Sequence, residues 1–254
     1  MRRYDGILIM SDYDGTLTSR ASRISEENRK AIEYFEREGG IFCIASGRQG
    51  DYVAKLGHHV PLNGYSVAIN GTVICEPDGK RYLFEQPLDR EAMIVFAKKI
   101  CEACPMRDHL RFVTKTETYH ITPDMDIDGV LEEIEGPFFK FLCVTPAEHS
   151  DEYLKRLREL AGEDFYVSRS WINGLEIQPA GTSKGDAIER LRELYGGRIK
   201  TVIAVGDYEN DIDMIKNADI GYAVANAVDE VKAVADRITV SCHDHAIAAI
   251  IKEL

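Results

Sequence analysis

Ile7-Leu8-Ile9-Met10-Ser11-Asp12-Tyr13-Asp14-Gly15-Thr16-Leu17-Thr18 is the stretch from which the rest of the chain can be read. Its apolar run does not alternate, as a strand buried on both faces of a sheet requires, and it stops at a polar segment containing glycine. Asp12 and Asp14 therefore stand just past the carboxyl end of a predicted strand. In open α/β sheets ligands bind at that edge, because loops converge there above a rigid scaffold. Two carboxylates spaced in this way can collect a hard cation, and one can attack while the other moves protons. Taken alone, the same residues also describe a solvated turn.

Working outward, the pattern repeats. Ser25 is placed to cap a helix over residues 26–37, with Ala31, Ile32 and Phe35 on one face and Gly39-Gly40 ending it. Residues 41–45 read as a second buried strand that leaves through Ser46-Gly47-Arg48, and a further helix begins near Asp51. Asn70-Gly71 between apolar β-formers predicts a hairpin over residues 66–76. From about Tyr82 the grammar changes to helices near 89–104, 127–134 and 150–161, separated by strand-like runs at 110–114, 118–121, 138–144 and near Phe165 and Leu175. That mixture predicts a compact α+β insert.

From Thr182 the first grammar returns. Ser183 is expected to cap a helix starting at Lys184, residues 201–205 form a third buried strand running into Gly206-Asp207, and a helix covers 209–216. Short strands at 220–224 and 238–240 and a closing helix from His245 complete the chain. The expected fold class is α/β: a Rossmann-like doubly wound, mostly parallel sheet core from residues 1–82 and 180–254, with a smaller α+β cap domain inserted at 83–179.

The 254 residues, 44% of them apolar, suffice for one large core or two modest ones. A net charge of -12 with no basic run makes nucleic acid and anionic membrane poor partners. The N-terminus lacks a signal-peptide pattern and no apolar run approaches membrane-spanning length, so a cytoplasmic location is expected. Several of the six cysteines sit inside apolar strand runs, which suits reduced thiols better than disulfides. Monomer and homodimer both remain open.

The polar residues at the core strand exits and helix starts are Asp12, Asp14, Ser46, Lys184, Asp207 and Asp211. A phosphate monoester is a dianion whose uncatalysed hydrolysis is extremely slow, so its catalyst must neutralise charge and present an in-line nucleophile. Asp12 can be that nucleophile, and Asp207 and Asp211 can join it in holding a divalent cation. Ser46 and Lys184 can bind the phosphoryl oxygens. Asp14 can protonate the leaving alkoxide and later activate water. That role requires Asp14 to start protonated, so its surroundings are expected to favour the neutral form.

The segments Asp12-Tyr-Asp14-Gly-Thr-Leu-Thr, Ser46-Gly-Arg48, Thr182-Ser-Lys184-Gly and Gly206-Asp207-Tyr-Glu-Asn210-Asp211 resemble, in order, the four motifs of the haloacid dehalogenase (HAD) superfamily. The Asn70-Gly71 hairpin, the position of the insert and the run Gly221-Tyr-Ala-Val-Ala-Asn226-Ala are similar to its Cof-like phosphatase branch. The resemblance implies Asp12 as nucleophile and Asp14 as acid/base with its main-chain carbonyl toward the metal. It also implies Ser46, Gly47, Lys184 and Asn210 on the phosphate, and Asp207 and Asp211 on Mg²⁺. A small phosphorylated metabolite, with sugar phosphates leading, is then the expected substrate, and the insert a lid that selects it. A phosphomutase would share every catalytic residue. A phospho-accepting regulatory module would share the charges but leave the insert without a role.

Tyr13, Tyr208 and the C-terminal Ser241-Cys-His243-Asp-His245 depart from the branch's usual pattern. Cys101-x-x-Cys104, His58-His59 and His243-x-His245 have metal-ligand spacing, yet buried thiols, a loop and a helix start explain them as well. Trp171 and Phe138-Phe139 suit either a pocket or the insert's core, and Arg48 suits either a phosphate or Asp51.

Overall fold

The computed structural model describes residues 2–19, 23–56 and 59–254. The chain divides into two compact units, Met1–Phe84 with Ser183–Leu254, and Glu85–Thr182.

In chain order the first unit opens with β1 (Ile7–Ser11), α1 (Glu26–Arg37), β2 (Ile41–Ile44) and α2 (Gly50–Leu56), followed by β3 (Ser66–Ala68), β4 (Val73–Cys75) and β5 (Tyr82–Glu85). The second unit holds α3 (Arg90–Ala103), β6 (His109–Val113), β7 (Thr118–Ile121), α4 (Ile127–Glu133), β8 (Lys140–Val144), α5 (Ala147–Ala161), β9 (Phe165–Trp171) and β10 (Gly174–Pro179). The first unit resumes with α6 (Asp186–Leu194), β11 (Thr201–Gly206), α7 (Ile212–Asn217), β12 (Ile220–Ala223), α8 (Asp229–Lys232), β13 (Arg237–Ile238) and α9 (Ala246–Glu253).

The main sheet of the first unit has the order β13-β12-β11-β1-β2, and every pair in it is parallel. The expected α/β class is the one observed. Successive residues of β1 feed opposite faces: Ile9 joins a core with Ile32 and Phe35 of α1 and Ile247, Ile250 and Ile251 of α9, while Leu8 and Met10 join Ile188 and Leu191 of α6. This is why the strand reads as an unbroken apolar run. Burying Ile32 or Phe35 fully contributes on the order of 1.5–3 kcal/mol each. Helix α1 has the predicted limits because both signals are local: the Ser25 hydroxyl accepts from the Asn28 amide, and the apolar stripe recurs at helical spacing.

In the second unit the antiparallel sheet β7-β6-β8-β10-β9 places Leu110, Phe112, Phe141, Cys143, Leu175 and Ile177 against α3 and α5. Phe138 belongs to this core, whereas Trp171 packs on Val113, Leu142 and Val144.

Two expectations need correction. Lys184 does not begin a helix. Ser183 and Asp186 bond reciprocally (Ser183 amide to Asp186 Oδ2, 2.8 Å; Asp186 amide to Ser183 Oγ, 3.1 Å), so the helix starts at Asp186 and Lys184 lies in the turn before it. The hairpin forms, but its tip is a tight turn over Ile69–Gly71 rather than a two-residue loop, with both Ile69 and Asn70 left-handed.

Candidate active site

The register of the parallel strands sets the level of the functional residues. Ser11 stands opposite Val205 of β11 and Ile44 of β2, so Asp12, Asp207 and Ser46 all leave the sheet at one carboxyl edge. The chain order reverses at β1, with β2 on one side and β11 on the other. Such a switch point opens the crevice in which α/β proteins bind ligands.

Here the structure gathers Asp12, Asp207 and Asp211, with one carboxylate oxygen from each lying within 4.8 Å of the others. Lys184 reaches them fully buried, its Nζ donating to Asp12 Oδ1 and Asp211 Oδ1 at 2.7 Å each. Gly185 allows this approach, because a Cβ there would stand 2.6 Å from the Asp213 main chain. Asp211 is held rigidly: its Oδ2 accepts from the amides of Asp207 (3.0 Å) and Tyr208 (3.1 Å). Asp207 Oδ1 accepts from the Thr16 hydroxyl at 2.7 Å. Gly15, with φ +92°, passes so close that a Cβ would lie 2.5 Å from Asp207 Oδ2.

One ammonium among three carboxylates leaves excess negative charge. Burial pushes Asp12 well above the ordinary aspartate value, with Lys184 opposing and Asp211 and Asp207 reinforcing. Burial and the Asp211 charge raise Asp207 to about 7. Lys184 is held above the usual lysine value, since the attraction of Asp12 and Asp211 outweighs its burial. The all-oxygen donor set and the uncompensated charge fit a hard divalent cation.

The side chain of Asp14 is not in this cluster. Its carboxylate is 46% exposed and gripped by the Arg48 fork, with Nε to Oδ2 at 2.6 Å and Nη2 to Oδ1 at 2.8 Å. The hydrogen bond from Arg48 to Asp14 raises the arginine above its usual value, and the guanidinium lies 4.2 Å from the Tyr52 ring centroid. Surroundings that favour the neutral form were expected for Asp14; the structure sets the Arg48 fork on both of its carboxylate oxygens. Ser46 is buried, and its Oγ accepts from the Arg48 amide at 3.2 Å. Gly47 follows in the same loop. Asn210 is buried in the turn before α7 and donates through Nδ2 to Asn70 Oδ1 at 3.3 Å.

Three contributors escaped the sequence reading. Thr16 was quoted only as part of a motif, Arg48 was left between a phosphate and Asp51, and Asn226 was noted only within a run. Asn226 donates to the Gly15 carbonyl at 2.8 Å and accepts from the Cys242 amide at 2.8 Å, bracing the loop of Asp14. An asparagine after a strand end is the one local signal that pointed to it. His58 and the Asp51 side chain lie outside the described residues. His245 lies at the start of α9 with φ 63° and Nδ1 3.6 Å from Glu27 Oε2. All six cysteines are free thiols. Tyr13 is buried in the sheet core, and no described helix is long and apolar enough to cross a membrane.

The family profile of the haloacid dehalogenase-like hydrolases matches residues 9–251. The 5-amino-6-(5-phospho-D-ribitylamino)uracil phosphatase YcsE of Bacillus subtilis is 30% identical over 248 residues, spanning 96% of this chain and 94% of that protein. The chloroplastic endoribonuclease YBEY of Arabidopsis thaliana is 28% identical over 94% of this chain, but the match spans only 45% of that protein's length. The solved HAD subclass IIB sugar phosphatase BT4131 shares the fold, with a TM-score of 0.77 at 21% identity over 97% of this chain and 98% of that one. With the profile covering nearly the whole sequence, the chain belongs to the Cof-like branch of the haloacid dehalogenase-like hydrolases, enzymes that hydrolyse phosphoric monoesters.

Proposed function

We propose that the chain is an Mg²⁺-dependent phosphatase that hydrolyses small phosphorylated metabolites, sugar phosphates foremost, through an aspartyl-phosphate intermediate. The observation that carries this reading is the buried Lys184 bridging Asp12 and Asp211 beside Asp207 at the strand edge. Asp12, Asp207, Asp211 and the main-chain carbonyl of Asp14 would hold Mg²⁺, which supplies the positive charge that lets a dianionic ester approach a carboxylate.

In this scheme a carboxylate oxygen of Asp12 attacks phosphorus, forming the Asp12–phosphate bond as the bond to the leaving oxygen breaks. Asp14 protonates that oxygen. It then takes a proton from the water that cleaves the intermediate, which restores Asp12 and releases phosphate. Lys184, already aimed at Asp12, stabilises the charge of the transferring group, joined by the Ser46 hydroxyl, the Gly47 amide and the Asn210 amide. Asp14 must leave the Arg48 fork to act as an acid. The substrate class rests on the names of relatives, one a phosphatase of a ribityl phosphate and one a sugar phosphatase. The inserted unit, residues 85–182, is the segment we assign to substrate selection. Six free thiols and the absence of a described membrane-spanning helix support a cytoplasmic setting as part of the same proposal.

The test is phosphate release from sugar phosphates, nucleotides and an aryl phosphate, with Mg²⁺ and with chelator. Repeated turnover that requires the metal and falls at least about 10³-fold in Asp12→Asn is expected. Turnover that survives Asp12→Asn would overturn the scheme.

A further inference from the structure

We propose that Asn70 is a positioning residue for the phosphoryl site: from the tip of the β3–β4 hairpin it ties the Ser46 loop to the turn that carries Asn210. The inference rests on the phosphatase reading for what those two loops bind, and on geometry for the tie itself.

The tip is strained. Ile69, Asn70 and Gly71 have φ of 47°, 56° and 105°, and Ile69 and Asn70 are both buried. Asparagine and glycine adopt such values readily; a β-branched residue at positive φ is an outlier costing on the order of 1–3 kcal/mol. Reversing the chain through Asn70-Gly71 alone would leave Ile69 extended. The additional left-handed residue does something else.

It turns two successive amides toward the exit of β2. Ile69 donates to the Arg48 carbonyl at 2.9 Å and Asn70 donates to the Ser46 carbonyl at 3.0 Å. From the other side, the Ser46 amide donates to Val67 of the same hairpin at 2.9 Å. The Ser46–Arg48 main chain is thus clamped by one hairpin through both its donors and its acceptors. The conformation persists because these bonds over-determine it.

The side chain of Asn70 completes the tie by accepting from Asn210 Nδ2 at 3.3 Å, across 140 positions of sequence. The turn bearing Asn210 also carries Asp211, whose carboxylate orders the amides of Asp207 and Tyr208. One buried amide therefore sets the spacing between a hydroxyl and an amide meant for the same phosphoryl group. Positioning within fractions of an ångström is worth large factors in rate when the interaction forms fully only in the transition state.

The experiment uses Asn70→Gly, which keeps the left-handed backbone free of strain and removes the side chain that accepts from Asn210. With Mg²⁺ and an aryl phosphate, kcat is expected to fall about tenfold with KM changed less than about threefold, at an unchanged melting temperature. In an Asn210→Ala background the same substitution should change kcat less than about twofold, because the tie is already gone. An equal loss in both backgrounds, or no loss in either, overturns the proposal. Calorimetric binding of orthovanadate, which takes the five-coordinate geometry of the transferring group, with Mg²⁺ separates it from the phosphatase reading. Vanadate bound about tenfold more weakly by Asn70→Gly supports the tie even if no ester is turned over. Vanadate binding unchanged by Asn70→Gly counts against it whatever the turnover.

Discussion

Replacing Lys184 by Met removes the one cation that, among the described residues, bonds within the cluster of Asp12, Asp207 and Asp211. The ammonium is fully buried, with both carboxylate contacts at 2.7 Å, so water cannot take its place. Losing one partner of a buried ion pair typically costs about 3–5 kcal/mol, because the remaining charge is left uncompensated. Asp12 and Asp207 can relieve part of that by binding protons, since burial already raises both. The net cost is then near the low end, about 3 kcal/mol, or roughly 6–12 °C in melting temperature for a unit of this size. Thermal unfolding of the native chain and Lys184→Met in chelator measures it. Adding Mg²⁺ is expected to recover more stability in the variant than in the native chain, because the cation meets a site one positive charge poorer. In the phosphatase assay the variant should lose about 10²–10³-fold in kcat, the usual scale for removing one charge-stabilising donor. A melting temperature in chelator within about 2 °C of the native chain would refute the view of Lys184 as the cluster's charge partner.

Glu36 gives a pH signature away from the site: burial raises it to about 7, against the Asn63 amide, and its Oε1 has no hydrogen-bond partner among the described residues. The fold favours its neutral form, so this stabilising contribution is complete below the unfolded value near 4.5 and is lost as pH rises through 7. After allowance for its partial exposure, Glu36→Gln should stabilise by about 1–2 kcal/mol above pH ~8 and by nothing near pH ~4, as read by melting temperature; a gain of equal size at both ends would contradict it. Gly15→Ala meets both a left-handed φ and the Asp207 carboxylate, so turnover should fall at least about tenfold, and full activity would show that the loop has room. Arg48→Met releases Asp14 from the fork it must leave to act as an acid, so turnover of alkyl phosphates should rise about threefold relative to that of aryl phosphates, whose leaving group needs no proton. Equal losses on both would place Arg48 on the phosphate instead.

Much of the molecule was legible from local patterns. Unbroken apolar runs identified strands buried on both faces, and a capping serine with a periodic stripe located α1. Because parallel strands share one carboxyl edge, the residues following three such runs had to converge. Asp12, Ser46 and Asp207 therefore follow from pattern and topology together.

What the sequence could not supply were partners chosen across long separations. Spacing placed Lys184 at the start of a helix. The fold instead buries it, because its partners are carboxylates 172 and 27 positions away. Local propensity makes Ile69 extended, yet hydrogen bonds to the exit of β2 hold it left-handed. Asp14 was assigned a proton by its chemistry, and the fold gave it Arg48. In short, periodicity and caps are written within a few residues and so determined the elements, the strand edge and the acidic residues on it. Electrostatic pairing and backbone strain depend on which distant groups share a low-dielectric space, and only the tertiary structure decided those.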